Sequence, residues 1–538
     1  MAWKIKIIFR KMRIGEIEIG RDPKNIHQLV YVFFLIGIVA CMPLSKYVTS
    51  VFQFLLLIHW IVRGDYSNKW QRLKSNPAIW ILFLFFIIPA LGMIYSQDWN
   101  YGLHDLKIKL PLLALPLIIG TSEIITRQQL KLILLTFAAS VSISSLVSLG
   151  IVSGIIPYIY TDIRETSLFI SHIRLALLVD ISVFILSFYA LRKGVSRAER
   201  IALFTWAFYL LVFLVVVKAL TGLVVGLLVG LVLAFRWLLS QKNIRLRWSS
   251  LGAILVVLIL VAGYLSWKVN DFYTIKDDTQ NLTKQTENGN PYWHDTTNLQ
   301  LENGYYTGLY VCEEEMRIAW NNVSRLDYDG RDKKGQELRY TLIRYITSLG
   351  LHKDAYGVSQ LEKNDIDLIE AGYANHIYKK KNQFNVRMYE LIWEIDIYKK
   401  GGNPSGHSVT QRIEYLRTGF SIFLDHPIFG VGTGDVPAAF ESKYEEIRSP
   451  LAPEWRLRAH NQWLTFAISF GLAGVILLIL AFVLPGFIQK KFSQYFFLLF
   501  FMVAFLSMFN EDTLETQAGV AFFAFFYPFL LFSPNHDK

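Results

Sequence analysis

Residues 461–486 read NQWLTFAISFGLAGVILLILAFVLPG and contain no Asp, Glu, Lys or Arg. A helix needs about 20 predominantly apolar residues to cross the hydrocarbon core of a bilayer, so this run predicts a membrane-spanning helix. The composition agrees, because 53% of the 538 residues are hydrophobic, only 18% are charged and the mean hydropathy is +0.34. Since soluble domains are about 25% charged, the composition excludes a soluble globular protein and a disordered chain.

Further apolar runs of spanning length occur along the chain and predict an all-α polytopic membrane protein. One short run, 110–122, contains two prolines and is the least regular of them. When it is included, about 12 transmembrane helices are predicted. The other runs lie near 28–45, 47–62, 77–96, 132–153, 175–191, 201–217, 219–235, 249–267, 492–510 and 516–534.

Positive charges alternate between the connections of these runs. The basic N-terminus, the tail and every second connection together carry 24 Lys and Arg residues, whereas the other short connections carry 6. Because cytoplasmic loops are rich in Lys and Arg, the pattern predicts that both termini are cytoplasmic. The net charge of +11 therefore reflects membrane topology and does not indicate a nucleic-acid partner.

A long polar stretch separates two membrane regions. Residues 268–458 hold 24 Lys and Arg against 28 Asp and Glu, and their amphipathic runs predict a mostly helical domain. We therefore expect an N-terminal membrane domain of about nine spans at 1–267 and a C-terminal membrane domain of three spans at 459–538. The alternation of charge places the loop domain, 268–458, outside the cytoplasm.

Ionisable side chains within or beside apolar runs are costly to insert into a membrane, so they are candidates for function. Where such a residue lies near a run's end, the alternative is a side chain that extends to the interface. For Asp180, deep in its run, the sequence favours a structural role in which the carboxyl pairs with a cation of a neighbouring helix. The other residues of this kind are His172, Arg174 and Lys218.

The polar segment 407–474 contains the groups best suited to catalysis. His460 directly precedes an apolar run, where the helix dipole disfavours imidazolium and so favours the neutral base that proton transfer needs. Arg412 and Arg417 can bind phosphate oxygens through the forked guanidinium group. Each of these residues has a structural alternative, an interfacial histidine or a solvated arginine face.

Three glycines alternate in the same segment, at Gly430, Gly432 and Gly434. Alternating glycines permit a tight turn whose N–H groups could face an anion. No Gly-Lys-Ser/Thr follows them, so they do not form a nucleotide-binding P-loop. The pattern favours a structural turn over a phosphate cradle.

These motifs together resemble the O-antigen ligase family of bacterial polytopic membrane proteins. Arg412 is followed by His426-Pro-x-x-Gly-x-Gly, and then by His460-Asn-x-x-Leu and Gly471-Leu-x-Gly. The family includes the lipopolysaccharide O-antigen ligases, with O-antigen polymerases and protein O-oligosaccharyltransferases as relatives. The resemblance implies a lipid-donor glycosyltransferase (GT-C-like) fold with a large, mostly helical periplasmic loop.

The resemblance also implies the chemistry: a metal-independent, inverting glycosyltransferase of the inner membrane that needs no cofactor. Its donor would be a glycan on undecaprenyl pyrophosphate, and its acceptor a hydroxyl of lipid A–core or of another glycan at the periplasmic face. Ligase, polymerase and protein glycosyltransferase are not separated by the sequence. A polysaccharide or lipid transporter is the alternative from a different class, and a cell-envelope sensor or scaffold is a third.

By position, the resemblance assigns two catalytic residues. His460 matches the loop histidine proposed to act as base on the acceptor hydroxyl, and Arg412 matches the loop arginine that contacts the donor pyrophosphate. Many members have another Arg where this sequence has Leu220, so that Lys218 or Arg174 would supply the missing cation. Further candidates are Arg417 as a pyrophosphate contact, and His172, His407, Asp435 and Asn461 as supporting residues.

Overall fold

The structure is a computed structural model, and it describes residues 23–535 apart from 161, 278, 298–299 and 380–382. The described residues are mainly helical, which confirms the predicted all-α polytopic class. Within them the strands form one short hairpin, β1 (Leu301–Glu302) and β2 (Tyr305–Tyr306). The described residues divide into two compact units, the first lying within 1–240, 412–449 and 456–538 and the second within 241–411 and 450–455.

The helices follow one another along the chain as follows. The N-terminal part contains α1 (Pro23–Cys41), α2 (Lys46–Val62), α3 (Tyr66–Ser75), α4 (Pro77–Leu82), α5 (Leu84–Gly92), α6 (Trp99–Lys109), α7 (Pro111–Thr121), α8 (Arg127–Val152), α9 (His172–Ala190), α10 (Arg197–Val216) and α11 (Leu220–Leu239). The middle part contains α12 (Ile244–Tyr273), α13 (Glu313–Val323), α14 (Leu338–Ser348), α15 (Ala355–Ser359), α16 (Lys363–Glu370) and α17 (Gln383–Lys399). The C-terminal part contains α18 (Ser408–Asp425), α19 (Val436–Glu446), α20 (Gln462–Ile488), α21 (Tyr495–Ser507) and α22 (Gln517–Phe532).

Seven of the described helical segments are long and apolar enough to cross a membrane, or eight if α2 and α3, which meet at a bend of 111°, form one span. Three shorter apolar helices, at Ile26–Cys41, Tyr495–Ser507 and Gln517–Phe532, add to them. The count of about 12 and the cytoplasmic placement of the termini stay predictions. The basic residues before Pro23 that support that placement lie outside the described residues.

The core of the first unit contains two mainly apolar helices that are buried on every side over much of their length. In α22 every residue from Ala518 to Leu531 is buried, and the helix packs against α7 and α21. In α9 the residues from Leu175 to Val183 are buried against α8, α10 and α11. A helix that is hydrophobic all round needs such surroundings, because it has no polar face to turn toward water.

Small residues bring α9 and α11 close together. Gly222, Gly226 and Gly230 recur at every fourth position of α11, the spacing at which transmembrane helices pack backbone to backbone. A Cβ atom at Gly226 would lie 2.6 Å from Oδ1 of Asp180 on α9. The expected cation partner is therefore replaced by a close-packed glycine, and within the described residues Oδ2 of Asp180 is buried without a hydrogen-bond partner.

The second unit has its own hydrophobic core between α13, α14 and α16. Large buried side chains such as Trp320, Tyr328 and Tyr345 fill it. The hairpin is attached to this core through Glu302, whose buried carboxylate accepts a hydrogen bond from Arg344 at 2.6 Å. An Asn303-Gly304 turn closes the hairpin with positive φ at both residues, as the tight turn between two antiparallel strands requires.

Candidate active site

The loop between α21 and α22, residues 508–516, reads MFNEDTLET and is called the acidic loop below. It is attached to the first turn of α20 through Gln462. The N–H of Gln462 donates to the carbonyl oxygen of Met508 at 2.8 Å, and Oε1 of Gln462 accepts from the N–H of Leu514 at 2.6 Å. These bonds fix the loop at the end of α20 where His460 lies.

His460 lies one residue before Asn461, the N-cap of α20. Its φ of +48° is in the left-handed region, which residues other than glycine rarely adopt and which recurs at functional sites. Two contacts hold this conformation: the N–H of His460 donates to Asp512 at 3.2 Å, and the Asn461 side chain donates to the carbonyl oxygen of Phe509 at 3.1 Å. The acidic loop therefore positions the histidine.

Arg412, on α18, also contacts the acidic loop. Its guanidinium donates to Oδ1 of Asn510, and the amide nitrogen of Asn510 donates in turn to the hydroxyl of Thr221 at 3.0 Å. Tyr415, on the same helix, lies with its ring 5.6 Å from the ring of His460. The structure thus brings together the two residues that the sequence assigned to catalysis.

Glu511 is the electrostatic centre of this arrangement. Its carboxylate lies 3.6 Å from the guanidinium of Arg174, and both side chains are largely buried. Burial raises the pKa of Glu511, and the attraction of Arg174, His460 and Arg412 offsets only part of that rise. At Arg412 burial lowers the pKa, against the attraction of Glu511. A single buried carboxylate therefore interacts with three of the predicted site residues.

Sequence reasoning missed the acidic loop. Its 511–515 portion is one of the short connections that carry few positive charges, and it contains three carboxylates in five residues between two apolar runs. That density of acids beside a membrane span was the available signal, because buried carboxylates require cation or hydrogen-bond partners.

The two residues considered in place of the family arginine occupy different surroundings. Arg174 faces Glu511, as described above. Lys218 is exposed in the turn before α11, with a φ of +56°. Leu220, at the position in question, begins α11 with an exposed side chain, and the next residue, Thr221, is the one that contacts Asn510.

The remaining candidates make contacts of their own. Arg417 is exposed, and its guanidinium lies 3.5 Å from Glu414 on the same helix. His172 begins α9, with Nδ1 3.5 Å from the hydroxyl of Ser167. His407 belongs to the second unit, where its ring lies 5.5 Å from that of Trp393. Within the described residues, no group of three or more His, Cys, Asp or Glu side chains is arranged to hold a metal ion.

The alternating glycines dock onto a break in α20. At Gly471 the helix leaves helical geometry, with φ 61° and ψ −167°, and backbone groups beside the break lose their helical partners. The N–H groups of Val431 and Gly432 donate to the carbonyl oxygens of Ile468 and Ser469, each at 2.9 Å. The N–H of Leu472 donates to the carbonyl oxygen of Pro427, three residues before Gly430, at 2.8 Å. The backbone N–H and carbonyl groups of the segment and of the helix break therefore form hydrogen bonds with one another, as expected of a structural turn.

Asp435 completes this docking. Its carboxylate accepts hydrogen bonds from the backbone N–H groups of Gln97, at 3.0 and 2.9 Å, and Asp98, at 2.8 Å. Gly434 approaches the same turn so closely that a Cβ atom would lie 2.1 Å from the carbonyl oxygen of Asp98. The glycine segment therefore holds the C-terminal end of α18 against two neighbouring elements of the first unit.

A small, largely enclosed apolar cavity of about 20 Å³ lies beside the Arg174–Glu511 pair. Ile170, Leu177 and Phe522 line it together with those two charged side chains. The buried charges of the site therefore have apolar side chains as direct neighbours.

Comparison with known sequences supplies the family. Residues 205–479, or 275 of the 538, match the sequence model described as O-antigen ligase. The chain belongs to the O-antigen ligase family. The matched region contains Lys218, Arg412 and His460, whereas Arg174 and the acidic loop lie outside it.

Membership confirms the resemblance drawn from the sequence motifs. It makes the chain a multi-pass protein of the inner membrane, in a family of glycosyltransferase-type enzymes that act on lipid-linked glycans. No curated protein matches the sequence. The site described above is therefore where O-antigen ligase-type chemistry is to be sought.

Proposed function

We propose that the protein transfers a glycan from undecaprenyl pyrophosphate to an acceptor hydroxyl at the periplasmic face of the inner membrane, with lipid A–core as the first candidate acceptor. The proposal includes a GT-C-like fold of about 12 spans, with both termini cytoplasmic and 268–458 periplasmic. One observation carries it: Arg174, Arg412 and His460 meet at three consecutive residues of the acidic loop. Arg174 pairs with Glu511, Arg412 donates to Asn510, and the N–H of His460 donates to Asp512. Arginines suited to a pyrophosphate and a histidine suited to a hydroxyl are the groups this transfer needs.

The pyrophosphate leaving group needs cations that stabilise its charge. As the glycan departs, negative charge develops on the pyrophosphate, and Arg412 and Arg174 would stabilise it without a metal ion. Glu511 balances these cations in the resting site, and the pyrophosphate would replace it as their partner. Lys218 and Arg417, both exposed, would attract the donor at longer range.

The acceptor side depends on His460. The acceptor oxygen attacks the anomeric carbon from the face opposite the pyrophosphate, so that the new C–O bond forms as the old one breaks and the configuration inverts. His460 would take the hydroxyl proton, and Glu511 would stabilise the resulting imidazolium. Asp512 and Asn461 hold the backbone of His460 in place for this step. Asp435, His172 and His407 are further supporting candidates.

The test uses the full chain in lipid nanodiscs with an undecaprenyl-pyrophosphate oligosaccharide, lipid A–core and EDTA. Product glycolipid and released undecaprenyl pyrophosphate are both measured. We expect His460→Ala to lower transfer by about 10²- to 10⁴-fold, the usual contribution of a general base. Arg412→Lys keeps the charge but loses the fork, and we expect a substantial loss as well. His104→Ala, which removes an exposed histidine of α6, is the matched control.

Three outcomes would contradict parts of this proposal. Wild-type transfer by the His460→Ala protein would remove the assignment of the base. Polymerised donor in place of glycosylated lipid A–core would assign the protein to the polymerase branch of the family. Movement of the donor across the bilayer without any covalent product would favour a transporter.

A further inference from the structure

A cavity of about 350 Å³ lies within the second unit, apart from the residues assigned to catalysis. It opens between the C-terminal turns of α12, the hairpin and α17. Its walls include Lys268, Phe272, Lys276, Asn303, Tyr305 and Tyr389. Pockets of this size bind small ligands or single units of larger ones.

The floor of the cavity is apolar and aromatic. Phe272, Tyr389 and Ile392 are each less than a tenth exposed and pack as one cluster, with the rings of Phe272 and Tyr389 5.8 Å apart. The rim is polar and includes the amides of Asn303 and Asn385, of which the oxygen of Asn385 accepts a hydrogen bond from the Tyr264 hydroxyl at 2.7 Å. A pyranose ring has the same division, since its C–H face is apolar and its hydroxyl edge both donates and accepts.

The polar rim is held by the fold. The amide nitrogen of Asn303 donates to the carbonyl oxygen of Ser348 at 2.9 Å, and the ammonium of Lys276 donates to the carbonyl oxygen of Asn303 at 2.9 Å. Beneath them the fully buried Glu302 accepts from Asn375 at 2.8 Å, in addition to its bond with Arg344. Because these contacts lie within the protein, the rim is preorganised.

The charged residues of the lining and the location of the cavity indicate which class of ligand it can bind. Two lysines, Lys268 and Lys276, line the cavity against one carboxylate, Asp271. Lys268 and Asp271 lie in the last two turns of α12, one of the helices long and apolar enough to cross a membrane. A ligand here would be anionic and within reach of a membrane surface.

We infer that this cavity binds a sugar unit that carries a carboxylate or phosphate group and belongs to the membrane-anchored glycan acceptor. The inference rests on the proposed glycan transfer. It gives the second unit the task of recognising the acceptor, while the first unit provides the catalytic groups. The residues around the cavity are then positioning residues, which act on acceptor binding and not on the chemical step.

The test has a binding part and a kinetic part, both with the full chain in nanodiscs. The probes for binding are a galacturonic acid trimer, a phosphorylated core oligosaccharide and neutral maltotriose. We expect at least one anionic probe to bind more tightly than maltotriose. Substitution of both lysines (Lys268→Gln, Lys276→Gln) should weaken that binding about tenfold, as for the loss of one charge-assisted hydrogen bond.

Asn303→Gly is the second variant, because glycine keeps the left-handed turn while the amide side chain and its hydrogen bond to Ser348 are removed from the rim. In the transfer assay both cavity variants should raise the acceptor KM and leave kcat near wild type. Lys363→Gln, at an exposed lysine elsewhere in the second unit, is the control and should change neither.

The outcomes separate this inference from the proposed function. If the cavity variants change neither probe binding nor acceptor KM while His460→Ala abolishes transfer, the inference is overturned and the proposed function stands. If wild-type protein binds an anionic probe through the lysines but transfers nothing, the cavity is a sugar site and the proposed function fails. Equal binding of maltotriose and both anionic probes would overturn the anionic assignment.

Discussion

Glu511 and Glu515 lie four residues apart in the acidic loop, and their surroundings are opposite. Glu515 is 2.9 Å from the ammonium of Lys109, 3.5 Å from the guanidinium of Arg458 and 2.9 Å from the amide of Gln462. Burial raises its pKa, but the attraction of Lys109 and Arg458 outweighs this and lowers the pKa from 4.5 to about 2. At Glu511 burial prevails and the pKa is raised.

The difference separates a structural carboxylate from one suited to function. Glu515 makes short contacts with two cations and an amide, so its charge is fully compensated where it lies. Glu511 holds Arg174 at a looser 3.6 Å and interacts with Arg412 and His460 through space. Cations that are incompletely compensated can take an incoming phosphate as a partner, and perturbed carboxylates of this kind cluster at active sites.

The largest expected effect concerns stability. Glu515→Gln would leave Arg458 buried without the carboxylate it pairs with, and would leave Lys109 with Asp105 alone. Breaking a buried pair in this way costs about 3–5 kcal/mol. Glu511→Gln should cost far less, because the charge it removes is itself disfavoured by burial. The measurement is thermal unfolding of both variants by intrinsic fluorescence in nanodiscs. Equal destabilisation by the two substitutions would contradict the distinction between a compensated Glu515 and an incompletely compensated Glu511.

The dependence of stability on pH should differ in sign between the two residues. Glu515, with its pKa lowered, contributes stability that is present above pH 4.5 and is lost as the pH falls toward 2. Glu511, with its pKa raised, binds a proton more tightly in the folded state, so its contribution to stability falls as the pH rises through its folded pKa.

Melting temperatures measured across pH 3–7, roughly the range in which buried carboxyl groups titrate, test these signs. The loss of stability at low pH should be smaller in Glu515→Gln than in the wild type. Glu511→Gln should gain stability relative to the wild type as the pH rises above 4.5, the ordinary pKa of glutamate. A parallel pH profile in both variants would contradict the assigned environments.

The sequence predicted much of this molecule and missed what holds the site together. Apolar runs revealed the helical membrane class because their signal is local. Motif order selected Arg412 and His460 as candidates, and the structure places both in contact with the acidic loop. The acidic loop was missed because its partners are distant in sequence: Lys109 lies 406 residues from Glu515. Asp180 was expected to pair with a cation, and the glycine that packs against it instead lies on another helix.

Asp180 is a third buried carboxyl that can be compared with these two. Substitution of its neighbour Gly226 has the smallest predicted effect on stability. A methyl group added at Gly226 would lie 2.6 Å from Oδ1 of Asp180, whereas one added at Gly230, one turn further along α11, would be in ordinary contact with Phe184 at 3.6 Å. We expect Gly226→Ala to destabilise the protein by about 1–2 kcal/mol through overpacking, and Gly230→Ala to be close to neutral. Thermal unfolding of the two variants side by side measures the difference. Both substitutions add one methyl group to the same helix face, so Gly230→Ala is the control. Equal melting temperatures would mean that the Asp180 side chain moves aside without cost. Its carboxyl would then be as loosely held as that of Glu511.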